Sequence, residues 1–319
     1  MCQSARLTFA VLRQGKSVAS LSFLGSMTSN LPASEPLPGG SPVSDSPRPR
    51  QILKAGSGGT SLNIHEIWLY RDLLWALSSR EIKLRYRQTA LGVIWVIIQP
   101  LLGAGVLSFV FNRVAKLSTD GVPPILFTYA GMLIWNVFNA TLGKASSVLV
   151  SNASLISKVY FPRLCLPLSV VLPILLDLGV AMCLLLVMLF YYGIMPTIAV
   201  LLWPVILFAT LLIALGLSLI ASSLMVSYRD VQYVIPFVLS LLVYASPVGY
   251  SVKNVPLWAQ KFYNLNPLVA LLGNSRYALL GAGQFDPGGL LYSLTIGVVV
   301  FFIGMKCFKN MERKFADVI

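Results

Sequence analysis

The sequence predicts an all-α polytopic membrane protein: six transmembrane helices, an amino-terminal amphipathic helix on the membrane surface, and outer re-entrant helices before the last span. Three observations carry that expectation. Hydrophobic residues make up 56% of the 319 residues and charged residues 11%, at a mean hydropathy of +0.78, which leaves too little polar surface to cover a soluble domain. Apolar runs long enough to cross about 30 Å of hydrocarbon recur along the chain. Lys and Arg collect in alternate loops, so the net charge of +13 reads as basic cytoplasmic loops beside membrane lipid, not as a surface for nucleic acid.

Residues 1–61 are expected to form a disordered extension and residues 62–319 the transmembrane domain. The stretch SNLPASEPLPGGSPVSDSPRPR is rich in Ser, Pro and Gly and poor in anything that could build a core. Arg13 and Lys16 follow TFAVL too closely for the hydrophobic region of a signal peptide; a start codon further along is an alternative. From Ile64 the run IHEIWLYRDLLWALSSREIKLRYRQ spaces Ile67, Leu74, Leu77, Ile82 and Leu84 as a helix would, among Arg71, Asp72, Arg80, Glu81, Lys83, Arg85 and Arg87. Trp68, Tyr70, Trp75 and Tyr86 carry rings suited to headgroup depth, and the four basic residues from Arg80 to Arg87 suit anionic lipid of the cytoplasmic leaflet.

The first span is free of charge between Ala90 and Asn112 and therefore runs outward from that basic cluster. Arg113 to Pro124 makes a short outer loop, and ILFTYAGMLIWNVFNATLG brings the chain back to Lys144. In SNASLISKVYFPRLCLP, Ser151 and Asn152 are placed to cap a short cytoplasmic helix with Leu155, Ile156 and Val159 on its apolar side. Lys158 and Arg163 keep it inside and Pro162 ends it. A plain connecting turn on the headgroups is the alternative. The third span, from about Leu166 to Tyr192, holds Pro167 and Pro173, whose freed carbonyls need partners from other helices or water. Asp177 within it is costly at membrane depth and is either a structural hydrogen-bonding residue or a functional one.

The fourth span, Ala199 to Val226, returns to a polar turn of Ser227, Tyr228, Arg229 and Asp230. The fifth, VIPFVLSLLVYASPVGY, is the shortest and is broken by Pro236 and Pro247. The segment from Ser251 to Gly289 mixes short apolar pieces with breakers, as re-entrant or interfacial helices do. A last span from about Leu290 to Met305 leaves Lys306, Lys309, Arg313 and Lys314 in the cytoplasm, so both termini lie inside. No metal site or catalytic group is expected. Cys2, Cys165, Cys183 and Cys307 make no metal spacing, and the three that lie in or beside apolar runs read as small core residues; His65 stands alone, and outer acids are limited to Asp120 and Asp286.

Four blocks in order carry a family resemblance: RDLLWALSSREIKLRYRQTALGVIWVIIQPLL, SNASLISKVYFPR, SYRDVQYVIPFVLSLLVYASPVGYS and VPLWAQKFYNLNPLVALLGNSRYALL. Across Leu62 to Phe315 the chain resembles the permease subunit of bacterial polysaccharide-exporting ABC transporters, which move O-antigen, capsular polysaccharide or teichoic acid. The long extension departs from that family's short cytoplasmic start. The resemblance implies a homodimer of six-span subunits around a channel for lipid-linked polysaccharide in the cytoplasmic membrane, with an ATP-binding subunit docked on each protomer. It implies a coupling helix carrying Asn152, Leu155, Ile156, Lys158, Val159, Tyr160, Phe161 and Arg163. It also implies an interface helix carrying Trp68, Arg71, Asp72, Trp75, Arg80, Lys83, Arg85 and Arg87. The sequence holds no GxxxxGK[ST] phosphate loop, so this chain would bind no cofactor, and ATP and Mg would be used by the partner subunit.

Sugars present apolar faces, so a polymer can slide past rings without deep binding wells. The candidate channel residues are Trp95, Trp135 and Phe138 in the first two spans and Tyr233, Phe237, Tyr244 and Tyr250 in or beside the fifth. Lipid belts and packing are the plainer reading. Val255 to Leu280 is expected to dip into the outer half of the membrane and close the channel mouth, through Trp258, Phe262, Asn266, Pro267, Arg276 and Tyr277. Arg276 and Tyr277 would face an aqueous vestibule, because hydrocarbon does not accept a guanidinium. A flat helix pair, showing Trp258, Phe262 and Tyr263 to lipid, is the alternative. Among functions, a drug or lipid exporter of the same fold is the nearest alternative; an ion-coupled secondary transporter would need more intramembrane charge, or internal repeats, than Asp177 supplies.

Overall fold

The computed structural model describes residues 68, 70–87, 92–159 and 161–318. The expected boundary between the extension over residues 1–61 and the transmembrane domain lies outside them. All described residues belong to one unit, Gly59–Ile319, whose regular structure is helical, with no strand among the described residues.

Helix α1 (Arg71–Arg87) precedes α2 (Gly92–Ser108), which widens into a π-helical turn over Phe109–Val114, so Arg113 belongs to the end of the first span and not to a loop. Next come α3 (Pro124–Ser151) and the single turn α4 (Ala153–Ile156). The third apolar stretch is α5 (Cys165–Ser169) followed by α6 (Val171–Tyr192), which Gly193 ends in a left-handed conformation, φ 67°. A 3₁₀ turn, Ile198–Leu202, leads into α7 (Trp203–Ser227). Then come α8 (Val231–Ala245), α9 (Leu257–Leu265), α10 (Pro267–Leu280) and α11 (Pro287–Val318).

Among the described residues, five stretches are long and apolar enough to cross a membrane: Ile97–Val114, Pro124–Ser151, Cys165–Tyr192, Ile198–Ser227 and Pro287–Glu312. The expected fifth of six spans falls on α8, whose 15 residues are short of the roughly twenty that a crossing needs. Pro247 explains the length. The residue before a proline is pushed out of the helical region, and Ser246 is extended at φ −109° and ψ 139°.

Helix α3 lies at the centre, packed on α7, α10, α6 and α2, with Phe127, Tyr129, Ile134 and Leu149 fully buried. The most extensive helix pair is α7 with α11. Glycine allows their approach. A Cβ on Gly216 would stand 2.6 Å from the Phe301 nitrogen and 2.7 Å from the Val300 carbonyl carbon, and one on Gly304 would strike the Gly216 carbonyl oxygen.

Proline shapes the third stretch as its sequence suggests. Pro173 has no N–H to give to the carbonyl four residues earlier, and that carbonyl, of Ser169, accepts the Ser78 hydroxyl of α1 at 2.8 Å. The break thus fastens α1 to the bundle. Helix α11 runs on past its expected end. Its 32 residues reach about 48 Å at about 1.5 Å per residue, against about 30 Å of hydrocarbon, so the tail from Lys306 continues the span instead of forming a separate segment. Cys165 is buried, whereas Cys183 is exposed on α6 and is not the core residue expected.

Candidate functional site

One end of the bundle joins α1, the α3–α4 junction and the end of α11. Arg80 Nη2 donates to Asn152 Oδ1 at 3.2 Å, and Asn152 Nδ2 donates to the Val148 carbonyl at 3.0 Å. Arg163 donates from Nη1 to the Glu312 carbonyl at 2.7 Å and from its backbone N–H to Glu312 Oε1 at 3.4 Å. The segment from Asn152 to Arg163 is therefore held at both ends, by α1 and by α11. Asn152 does not cap α4 as its position suggested, because Arg80 and the last turn of α3 occupy its amide. Glu312 was missed from sequence; a single acid within the basic run KCFKNMERKF is the signal that could have found it.

Helix α1 buries Leu77 and Ser78 and keeps Arg71, Asp72, Trp75, Arg80 and Lys83 exposed, and Trp68 just before it is exposed as well. The Arg71 guanidinium lies 5.7 Å from the Trp68 ring centroid and 3.8 Å from the Asp72 carboxylate. The side chains of Arg85 and Arg87 lie outside the described residues, as does Tyr160 entirely. Beyond α3 the expected apolar side divides. Leu155 and Ile156 pack partly on this chain's own core, Phe161 is buried, and Lys158 and Val159 are exposed, as are Ser154 and Ser157.

The opposite end is built from loops. Asp120 accepts the Ser251 hydroxyl at 3.0 Å and Lys253 Nζ at 3.1 Å, tying the turn before α3 to the segment after α8. Asn266 accepts the Leu268 N–H at 3.0 Å, capping α10 with Pro267 as its first residue, and donates to the Ser246 hydroxyl at 3.2 Å. Asn274 exchanges two 2.9 Å hydrogen bonds with the Asp286 backbone, and Ser293 donates to the Pro267 carbonyl at 2.8 Å. Helix α10 therefore runs antiparallel to the start of α11. Its first residue lies beside Ser293, about 9 Å along α11 from Pro287 at about 1.5 Å per residue.

Arg276 does not face a vestibule; it is 3% exposed. Its Nη2 donates to the Pro247 and Val248 carbonyls at 2.5 and 2.6 Å, with Nη1 and Nε at 3.4 Å from the Tyr250 and Phe127 carbonyls. The guanidinium also lies 4.1 Å from the Phe127 ring centroid. The expectation weighed the cation only against lipid and water. The break at Pro247 supplies a third solvent, a cup of backbone carbonyls, and a guanidinium has five donors to fill it. Tyr277 is partly buried, stacked on Phe285 at 5.7 Å, while Trp258 and Phe262 stand exposed on α9.

The candidate channel aromatics also divide. Trp135 and Phe138 pack on each other at 5.8 Å and are 5% and 1% exposed. Tyr250 is 7% exposed, its hydroxyl 3.0 Å from the Tyr244 carbonyl and 2.8 Å from the Tyr263 hydroxyl. In this structure these three are core residues, a correction to the expected set. The large apolar residues of helix α3 are spread around its circumference, so its sequence does not say which of them face the interior. Tyr233, Phe237 and Tyr244 do share one exposed face of α8, the face that residues i, i+4 and i+11 of a helix share. The Trp95 side chain lies outside the described residues.

Residues 72–280 match the model of a family described as ABC-2 type transporter. An O-antigen export system permease protein of Myxococcus xanthus is 30% identical to the chain over 258 residues, 80% of this chain and 98% of that protein. One from Klebsiella pneumoniae is 26% identical over 253 residues, 78% of this chain and 95% of that protein. A polysialic acid transport protein of Escherichia coli is 22% identical over 243 residues, 75% and 93% of the two chains.

Proposed function

We propose, because the chain belongs to the ABC-2 type transporter family, that it is the membrane subunit of an ATP-driven exporter that moves lipid-linked polysaccharide across the bacterial cytoplasmic membrane. The observation that carries this reading is similarity over nearly the whole length of relatives named for O-antigen export and polysialic acid transport. Those relatives do not favour a drug or lipid exporter. Cells lacking the chain are expected to keep finished polymer inside and to lose it from their surface, as read by antibody labelling of intact cells, and the full chain restores it. Unchanged surface polymer would reject the reading.

Two copies of the chain would enclose the channel, with the exposed face of α8 meeting the polymer through Tyr233, Phe237 and Tyr244. In the six-span reading, α8 with the chain up to Tyr250 makes the fifth crossing. The segment α9–α10 is the re-entrant element; the position of Pro267 beside Ser293, inward of the start of α11, supports it. Both termini are cytoplasmic. A cysteine at Lys253 should then react with an impermeant reagent outside intact cells, and one at Lys158 should not.

The ATP-binding subunit would dock at the end built by α1, the Asn152–Arg163 segment and α11. ATP and Mg belong to that subunit, and this chain is not an enzyme. Closure of the paired ATPases would push a segment already bonded at both ends, and so tilt the spans attached to it. Lys158→Glu with Val159→Asp should cut co-purification of the ATPase and surface polymer at least tenfold, with chain abundance unchanged. Leu155→Asp with Ile156→Asp should instead lower the amount of folded chain, since both side chains pack on its own core. Normal co-purification of the Lys158/Val159 variant would place docking elsewhere.

A further inference from the structure

We propose that the groove between α2, α3 and α6 is a hydrogen-bonding subsite for one sugar ring of the transported polymer, an inference that rests on the polysaccharide reading above. Gln99 of α2, Asn136 and Asn139 of α3 and Asp177 of α6 line a cavity of about 340 Å³. Asn136, Asn139 and Asp177 sit deep in their spans. Asn136 and Asn139 lie 12 and 15 residues after Pro124 in a 28-residue helix, and Asp177 lies 12 residues after Cys165 in a 28-residue stretch. Asn136 and Asn139 share a helix face by their spacing of three.

No hydrogen bond joins the amides of Gln99, Asn136 and Asn139 to another described residue, whereas Asp177 is engaged within the chain. Amides without partners are costly at membrane depth, so the groove calls for water or a polar ligand.

The chemistry narrows the ligand. A carboxylate accepts from hydroxyls and repels phosphate, and no Lys or Arg is among the described residues that line the groove, which disfavours the phosphate of a lipid carrier or headgroup. Amides both donate and accept, as sugar hydroxyls do. Met132, Leu133 and Ile174 supply an apolar wall for the C–H face of a ring. The volume lies at the low end of the range of about 300–1,000 Å³ for small-ligand sites, which suits one ring and not a folded oligosaccharide.

The test uses the full chain in living cells, with its four native cysteines replaced by Ala and Asn139→Cys introduced. Modification by a small water-soluble thiol reagent is expected to be at least fivefold slower in cells making the polymer than in cells whose first glycosyltransferase is deleted. Equal rates overturn the proposal; lipid headgroups are present in both strains, so a headgroup in the groove gives the same equality. In the native chain, Asn136→Leu with Asn139→Leu should reduce surface polymer at least tenfold, while Asn139→Gln retains most of it. Normal export by the Leu variant removes the subsite and leaves the exporter reading standing, whereas polymer on cells without this chain removes both. A Leu variant that fails because its two copies no longer crosslink shows a contact between copies, and overturns the sugar site.

Discussion

Gly216→Leu is expected to eliminate folded chain from the membrane, and Gly216→Ala to weaken it severely. At the α7–α11 crossing a single added carbon meets backbone, the Phe301 nitrogen at 2.6 Å, the Val300 carbonyl carbon at 2.7 Å and the Phe301 Cα at 2.8 Å. Backbone cannot rotate away as a side-chain tip can, so the two helices must separate. Overpacking typically costs about 1–3 kcal/mol when side chains can adjust, and separating the most extensive helix pair of the fold exceeds that. Gly304 faces the same crossing, where an added Cβ would strike the Gly216 carbonyl oxygen. Gly179 of α6 and Gly273 of α10 are the controls, since nothing lies within 4 Å of a Cβ added to either. Thermal unfolding of the purified chain in lipid nanodiscs should rank Gly216→Ala and Gly304→Ala well below the wild type and leave Gly179→Ala close to it. Equal melting of Gly216→Ala and Gly179→Ala would show that the helices do not meet as described.

That crossing was invisible in the sequence, although the helices that form it were plain. Hydropathy and length locate a span without saying which side meets a neighbour, and α7 is apolar nearly all round. The glycines carried the information, but only together with a partner some 80 residues away along the chain. Trp135 and Phe138 were misassigned for the same reason. What reads well is local: the apolar run of the first span, a helix over the charged stretch of α1, and the break at Pro173. The Pro173 argument required a partner for the freed carbonyl without naming it, and Ser78 of α1 supplies it. Both ends of the Asn152–Arg163 segment were recognised from local pattern, whereas their tethers, Arg80 and Glu312, lie 72 and 149 residues away. The structure supplies what local pattern could not, the residues to which such a segment is bonded.

Arg276→Met is expected to be the most damaging change at the opposite end. Methionine roughly fills the space but leaves the Pro247, Val248, Tyr250 and Phe127 carbonyls without the donors that face them. A buried polar group stripped of its partner costs about 1–3 kcal/mol, so two close and two longer contacts together represent a loss of about 3 kcal/mol or more. Lysine keeps the charge with three donors in place of a five-donor fork and should fall between Met and Arg. Gly131 provides an internal check, because a Cβ there would lie 2.5 Å from Arg276 Nη2 and 2.7 Å from the Val248 carbonyl oxygen. Gly131→Ala should therefore be strongly destabilising in the native chain and less so beside Arg276→Ala, with the remaining cost coming from Val248. The difference between those two costs should exceed about 1 kcal/mol, within the range for residues in contact. Additive effects in unfolding experiments would place Arg276 away from Gly131 and sink the carbonyl-cup description. If α9–α10 closes the channel mouth, Arg276 anchors the half that stays fixed against α3 and the Pro247 turn. The Met variant should then lose surface polymer in step with its loss of folded chain, while exposed Trp258 and Phe262 can be changed to Ala with little effect on melting.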